Sequence, residues 1–171
     1  MIVDVSHAGA LVPATVAACC VAGARRVAFA DLVPSLVMLL SMFDLATGAH
    51  LVWPIAWAAL LLLAAPLPVI AARRRRVSLG HPVDMVMPLH RSLGLIAMAA
   101  LTVASASHLA AAGPHHGAGP AVVILYAGLA AFLVYTLGLV ARHSSGPRRN
   151  VLSLVEVTSM GASLALMALA A

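Results

Sequence analysis

The carboxylates Asp44 and Glu156 fall inside otherwise apolar stretches of the chain, and an Asp at the centre of a membrane-spanning helix costs about 2.5 to 3.5 kcal/mol on insertion scales. Each needs a reason to be there, either a structural partner or a role in coupling protons or ions to transport. Both lie about one and a half turns from an end of their stretch, where partial hydration lowers the cost. A structural account gives Asp44 a neighbouring hydroxyl or histidine, and gives Glu156 either His90 or Arg91 from another helix.

Histidines and methionines carry the other chemistry. His50 and His108 close two comparable apolar stretches, His115 and His116 sit in a Gly/Pro-rich connection, and Asp44 lies just below them in sequence depth. Imidazoles with a carboxylate suit Cu(II) or Zn(II), and thioethers suit Cu(I). Met38 and Met42 share a helical face at i, i+4, while Met98 and Met160 fall mid-stretch, so a copper path from mouth to interior is one reading. Against it, no histidine pair has the tight spacing of H-x-x-x-H, and Met is an ordinary gap filler in apolar cores. A bis-histidine haem at His50 and His108 is disfavoured because haem normally sits between mid-helix ligands. No cofactor is otherwise implied. His81, Asp84, His90 and Arg91 gather around Pro82 and Pro88; they either meet a lipid phosphate or a partner protein, or anchor the start of a helix at the interface. Cys19 and Cys20 are adjacent within an apolar stretch, a poor geometry for bridging each other, and read as buried thiols. Walker, G-x-S-x-G, H-E-x-x-H and dinucleotide-turn motifs are all absent, so no enzyme activity is expected.

The elements that must position these residues follow from composition. Of 171 residues, 63% are hydrophobic and 9% charged, and the mean hydropathy is +1.07, which excludes a water-soluble domain and makes the bilayer the solvent. A pI of 10.6 does not indicate nucleic-acid binding, because the positive charge lies in short clusters between apolar stretches. Stretches long enough to cross a hydrocarbon core of about 30 Å recur near 7–24, 28–48, 51–72, 89–108, 121–141 and 151–170. They are continuously apolar rather than alternating, which favours helices over a barrel. The expected fold is all-α: a single polytopic transmembrane helical bundle of about six helices spanning 1–171.

Arginine placement supplies an orientation. All ten basic residues are Arg. Arg25 and Arg26 follow the first stretch, Arg73 to Arg76 follow the third, Arg91 opens the fourth, and Arg142, Arg148 and Arg149 join the fifth to the sixth. The positive-inside rule makes those connections cytoplasmic and puts both termini outside. With no arginine before position 25, the N-terminus lacks the charged region of a cleavable signal, so the first stretch is expected to remain.

Ser35-Leu36 through His50 resembles Ser92-Leu93 through His108, which points to a helix-pair repeat. Pro66 and Pro68 are expected to kink or fray the inner end of the third helix ahead of the Arg run. Ala127, Gly128, Ala131 and Gly138 in the fifth stretch, and Gly161 and Ala165 in the sixth, are expected to let helices approach closely.

The stretches PSLVMLLSM from Pro34 to Met42, LHRSLGLIAM from Leu89 to Met98 and VTSMGASLALM from Val157 to Met167, with Arg25-Arg26 ahead of the first, resemble an uncharacterised actinobacterial family of small polytopic membrane proteins with His- and Met-bearing helices. The similarity covers nearly the whole chain. It departs where Val33-Pro34 stands in place of a His pair and where only His90 occupies the next copy. The resemblance implies a multi-pass protein of a bacterial plasma membrane and no particular activity. The functional expectation is a non-catalytic accessory or interaction subunit of a larger membrane complex or a homo-oligomer; the alternatives are copper transport or sensing and small-solute or lipid transport.

Overall fold

The computed structural model describes residues 5–22, 29–48, 51–79, 84–110, 120–144 and 151–170, and all regular structure among them is helical. In chain order the helices are α1 (Val5–Ala22), α2 (Phe29–Thr47), α3 (Pro54–Ala64), α4 (Leu67–Leu79), α5 (Val86–Ala110), α6 (Pro120–Ser144) and α7 (Val151–Ala170). Among the described residues, four candidate spans are long and apolar enough to cross a membrane, Pro54–Ser78, Val86–Ala104, Val123–Arg142 and Val151–Leu169, while α1 and α2 contribute the shorter apolar segments Leu11–Cys20 and Leu32–Thr47. The protein is an all-α bundle whose helices suit a bilayer.

Among the described residues, seven helical segments appear where six apolar stretches were expected, because the third stretch is interrupted. Pro66 and Pro68 have no N–H, so the carbonyls of Leu62 and Ala64 lose their i+4 donors. The chain turns at Ala65-Pro66 and restarts as α4, with Ala65 N donating to Leu61 O at 2.9 Å and Ile70 N to Pro66 O at 2.9 Å. The expectation that these prolines kink or fray the helix ahead of the Arg run is met as an interruption at the prolines themselves, after which α4 carries Arg73 to Arg76 within a continuous helix ending at Leu79. Arginine is a good helix former, so nothing local stops it there.

α5 is the hub, packing on α2, α3, α4, α6 and α7, while α1 packs between α2 and α7. The burial pattern follows helical periodicity. On α6, Leu129, Phe132, Thr136 and Leu139 face inward while Ile124, Val134 and Leu137 are exposed. Only 22% of the α6 span is buried, against 44% for the α5 and α7 spans, which makes α6 the most peripheral of the three.

Two glycines set the closest approaches. A Cβ on Gly94 would run into the Met160 methyl, and one on Gly161 would meet Thr136 Cγ2 at 2.8 Å, so α7 rests against the backbone of α5 through a thioether and against α6 through a threonine methyl. Gly128 and Gly138 behave otherwise: a Cβ on either meets nothing within 4 Å, so the expectation that they mediate close approach inside the bundle is overturned. Gly138 is exposed on α6, and Gly128 lines an open hollow between α5 and α6. Cys19 is likewise exposed on α1 and Cys20 half-buried, correcting the reading of both as buried thiols.

Candidate functional site

Three consecutive polar residues on α5, His90, Arg91 and Ser92, define the polar centre of the bundle. At about 100° per residue they fan out across more than half of the helix circumference, and each meets a different neighbour.

Arg91 faces α7. Its Nε donates to Glu156 Oε1 at 2.5 Å and its Nη2 to Oε2 at 2.9 Å, a two-point pairing in which the planar guanidinium matches the carboxylate. The side chains are 19% and 8% exposed respectively, so the pair is largely withdrawn from solvent. Of the two partners anticipated for Glu156, Arg91 is the one the fold supplies. α5 and α7 thus bring their first turns to the same end of the bundle. A cavity of about 40 Å³ adjoins the pair, bounded by Pro34, Ser35 and Met38 of α2, Leu95 of α5, and Met160 and Ser163 of α7. That is room for about three waters, given about 10–15 Å³ of such volume for each.

His90 faces α6. Its ring stacks on Phe132 with centroids 5.1 Å apart and planes 12° from parallel, and lies 6.0 Å from Tyr135. The side chain is fully buried and neither ring nitrogen has a hydrogen-bond partner. It does not reach Glu156. Ser92 faces α3 and α4, is buried, and also has no partner for its hydroxyl. That sets it apart from the other buried hydroxyls of the bundle, since Thr102, Thr136 and Ser163 bond back to the carbonyls of Met98, Phe132 and Met160 in their own helices.

Asp44 belongs to a separate arrangement at the other end of α2. Its carboxylate accepts from Leu51 N at 2.9 Å, Val52 N at 3.3 Å and Trp57 Nε1 at 2.7 Å. Among the described residues its partners are backbone amides and an indole. α2 ends at Thr47, and Gly48 takes φ 62 with its N–H donating to Leu45 O, a left-handed cap that only glycine adopts without strain. The turn brings the start of α3, with Pro54 in its first turn and Trp57 one turn on, over the carboxylate. A carboxylate with three N–H donors is well satisfied when buried. Asp44 therefore pins the α2–α3 corner.

Met38, Met42, Met98 and Met160 join one continuous core, together with Met167. His50, His115 and His116 lie outside the described residues, as does the side chain of His108. Among the described residues, no group of three or more His, Cys, Asp or Glu side chains converges on a point that would hold a metal. Asp84 is exposed and accepts from Val86 N at 3.0 Å, anchoring the first turn of α5, where a negative charge also complements the helix dipole. It joins neither His90 nor Arg91.

Sequence reasoning missed Trp57, Ser35, Ser163 and Ser92. The one legible signal was an indole donor placed one turn after a helix-opening proline and close in sequence to a membrane-embedded Asp. The serines carry no such signal, because their role depends on which helix each one faces.

Comparison of the chain with protein-family models, with curated proteins and with solved structures gives no match. The class is defined by the architecture alone: a helical protein with several apolar helices suited to lipid contact and multiple crossings.

Proposed function

We propose that the protein is a non-catalytic, multi-pass subunit of a bacterial plasma membrane that works by docking against other membrane helices, with its Arg-bearing ends cytoplasmic and both termini outside. The resemblance to the actinobacterial family of small polytopic proteins is part of this proposal. The observation that carries it is the division of labour between interior and surface. The carboxylates Asp44 and Glu156 are engaged within the chain, Asp44 by Leu51, Val52 and Trp57 and Glu156 by Arg91. α6 meanwhile leaves most of its length uncovered and presents Gly128 and Gly138 to open space, the small-residue surface that favours helix association in lipid. A photo-crosslinking residue at Val134, on the exposed face of α6, tests it at native expression. A discrete adduct that is lost when the crosslinker moves to buried Leu139 is expected, and a strictly monomeric particle giving no adduct refutes it.

The cavity beside Glu156 supports two further readings. Met38 and Met160 offer thioethers there, which suits copper transport or sensing with the outer histidines as the mouth; elemental analysis of wild type against the His50→Ala/His108→Ala variant tests that idea. Glu156 itself at the cavity suits coupling to small-solute or lipid transport, and unchanged transport by Glu156→Gln in proteoliposomes removes it.

A further inference from the structure

A second hollow, of about 420 Å³, runs between the α3–α4 rod and α5. Its walls are Leu62, Val69 and Ile70 on one side and Ile96 on the other, the helix interruption at Ala65-Pro66 forms part of its lining, Arg73 borders it, and Ser92 lines it from α5. We propose that this groove seats one anionic phospholipid, with the phosphate on the Arg73 guanidinium, an ester oxygen on the Ser92 hydroxyl and an acyl chain along the apolar walls.

Three observations converge on that occupant. Ser92 is 93% buried by its 7% exposure, yet its hydroxyl has no partner within the protein. A buried hydroxyl without a hydrogen bond costs free energy that a ligand acceptor recovers. Arg73 is exposed and lines the same hollow as Leu62, Pro66 and Val69, so the lining passes from apolar to cationic along the groove. The groove therefore runs from an exposed cation at its rim to a buried donor and an apolar trough, the order of phosphate, ester and chain in a phospholipid. Arg74 to Arg76 follow directly, and such basic clusters at the cytoplasmic end of a span attract anionic lipids. The seat rests on the apolar, membrane-suited bundle alone and holds whether or not the protein serves a larger complex.

The test is native mass spectrometry of the full chain exchanged from an equal mixture of phosphatidylglycerol and phosphatidylcholine, comparing wild type with Arg73→Gln, Arg76→Gln and Ser92→Ala. Wild type is expected to retain one phosphatidylglycerol in preference to phosphatidylcholine. Arg73→Gln is expected to lose about fivefold of that preference, the share of one basic side chain at an anionic surface, whereas Arg76→Gln, outside the groove, keeps it. Ser92→Ala is expected to weaken retention of either lipid without lowering stability, since its hydroxyl bonds nothing within the chain. Equal retention of the two lipids by wild type overturns the proposal, as does an equal effect of the two arginine variants, which would mark a diffuse attraction. Inorganic phosphate bound by lipid-free protein in an Arg73-dependent way also overturns it, because the site would then recognise the ion without the chain.

Discussion

Replacing Glu156 with Ala leaves the Arg91 guanidinium without its carboxylate in the middle of the helix packing. Removing one partner of a buried ion pair costs about 3 to 5 kcal/mol, because the remaining charge stays desolvated. Here Glu156 is 8% exposed but Arg91 is 19% exposed, and the adjoining cavity has room for water, so the guanidinium recovers part of its hydration. That places the expected loss at the low end, about 3 kcal/mol, or roughly a hundredfold in the unfolding equilibrium at about 1.4 kcal/mol per tenfold. Steric trapping in bicelles reads such a change directly. The double variant Arg91→Met/Glu156→Leu is the decisive companion, since removing both charges while preserving volume is expected to cost less than about 1 kcal/mol. Asp84→Asn, at an exposed carboxylate whose bond to Val86 N an amide oxygen can still accept, is expected to change stability by no more than about 0.5 kcal/mol. The reasoning fails if Glu156→Ala costs less than about 1 kcal/mol, the value of an exposed pair. It fails equally if the double variant costs the sum of the two singles, since the two groups would then be uncoupled.

Asp44→Asn puts an amide where Leu51, Val52 and Trp57 all donate, so a loss of about 1 to 3 kcal/mol with a shift in Trp57 fluorescence is expected; unchanged emission and stability would remove Asp44 from the α2–α3 corner. Gly161→Ala should cost about 1 to 3 kcal/mol by forcing α7 from the Thr136 methyl, while Gly128→Ala on the open side of α6 should be neutral or gain up to about 1 kcal/mol from helix propensity. Equal effects of these two in thermal unfolding would contradict the helix spacing described above. His90→Phe should be neutral or stabilising, because both ring nitrogens lack partners and an aromatic ring preserves the stack on Phe132. A marked loss of stability in the same assay would mean that the imidazole makes a polar bond that the stacking account omits.

The sequence determined the architecture because membrane helices are specified locally. A stretch of apolar residues of sufficient length must satisfy its own backbone in lipid, and the described helices fall where such stretches lie. The ion pair was also within reach, since a membrane-embedded Glu seeks a cation and Arg91 opens another apolar stretch. Composition does not say which face of an apolar helix meets a neighbour, and that is why Gly128 and Gly138 look equivalent to Gly161 in sequence but meet open space where Gly161 meets Thr136. Only the tertiary structure decided that Asp44 answers to the indole of Trp57, that helix runs unbroken through Arg73 to Arg76, and that His90, Arg91 and Ser92 address three different neighbours. Each of these depends on how helices rotate about their axes against one another, a choice made by side-chain fit across interfaces between residues far apart in the chain.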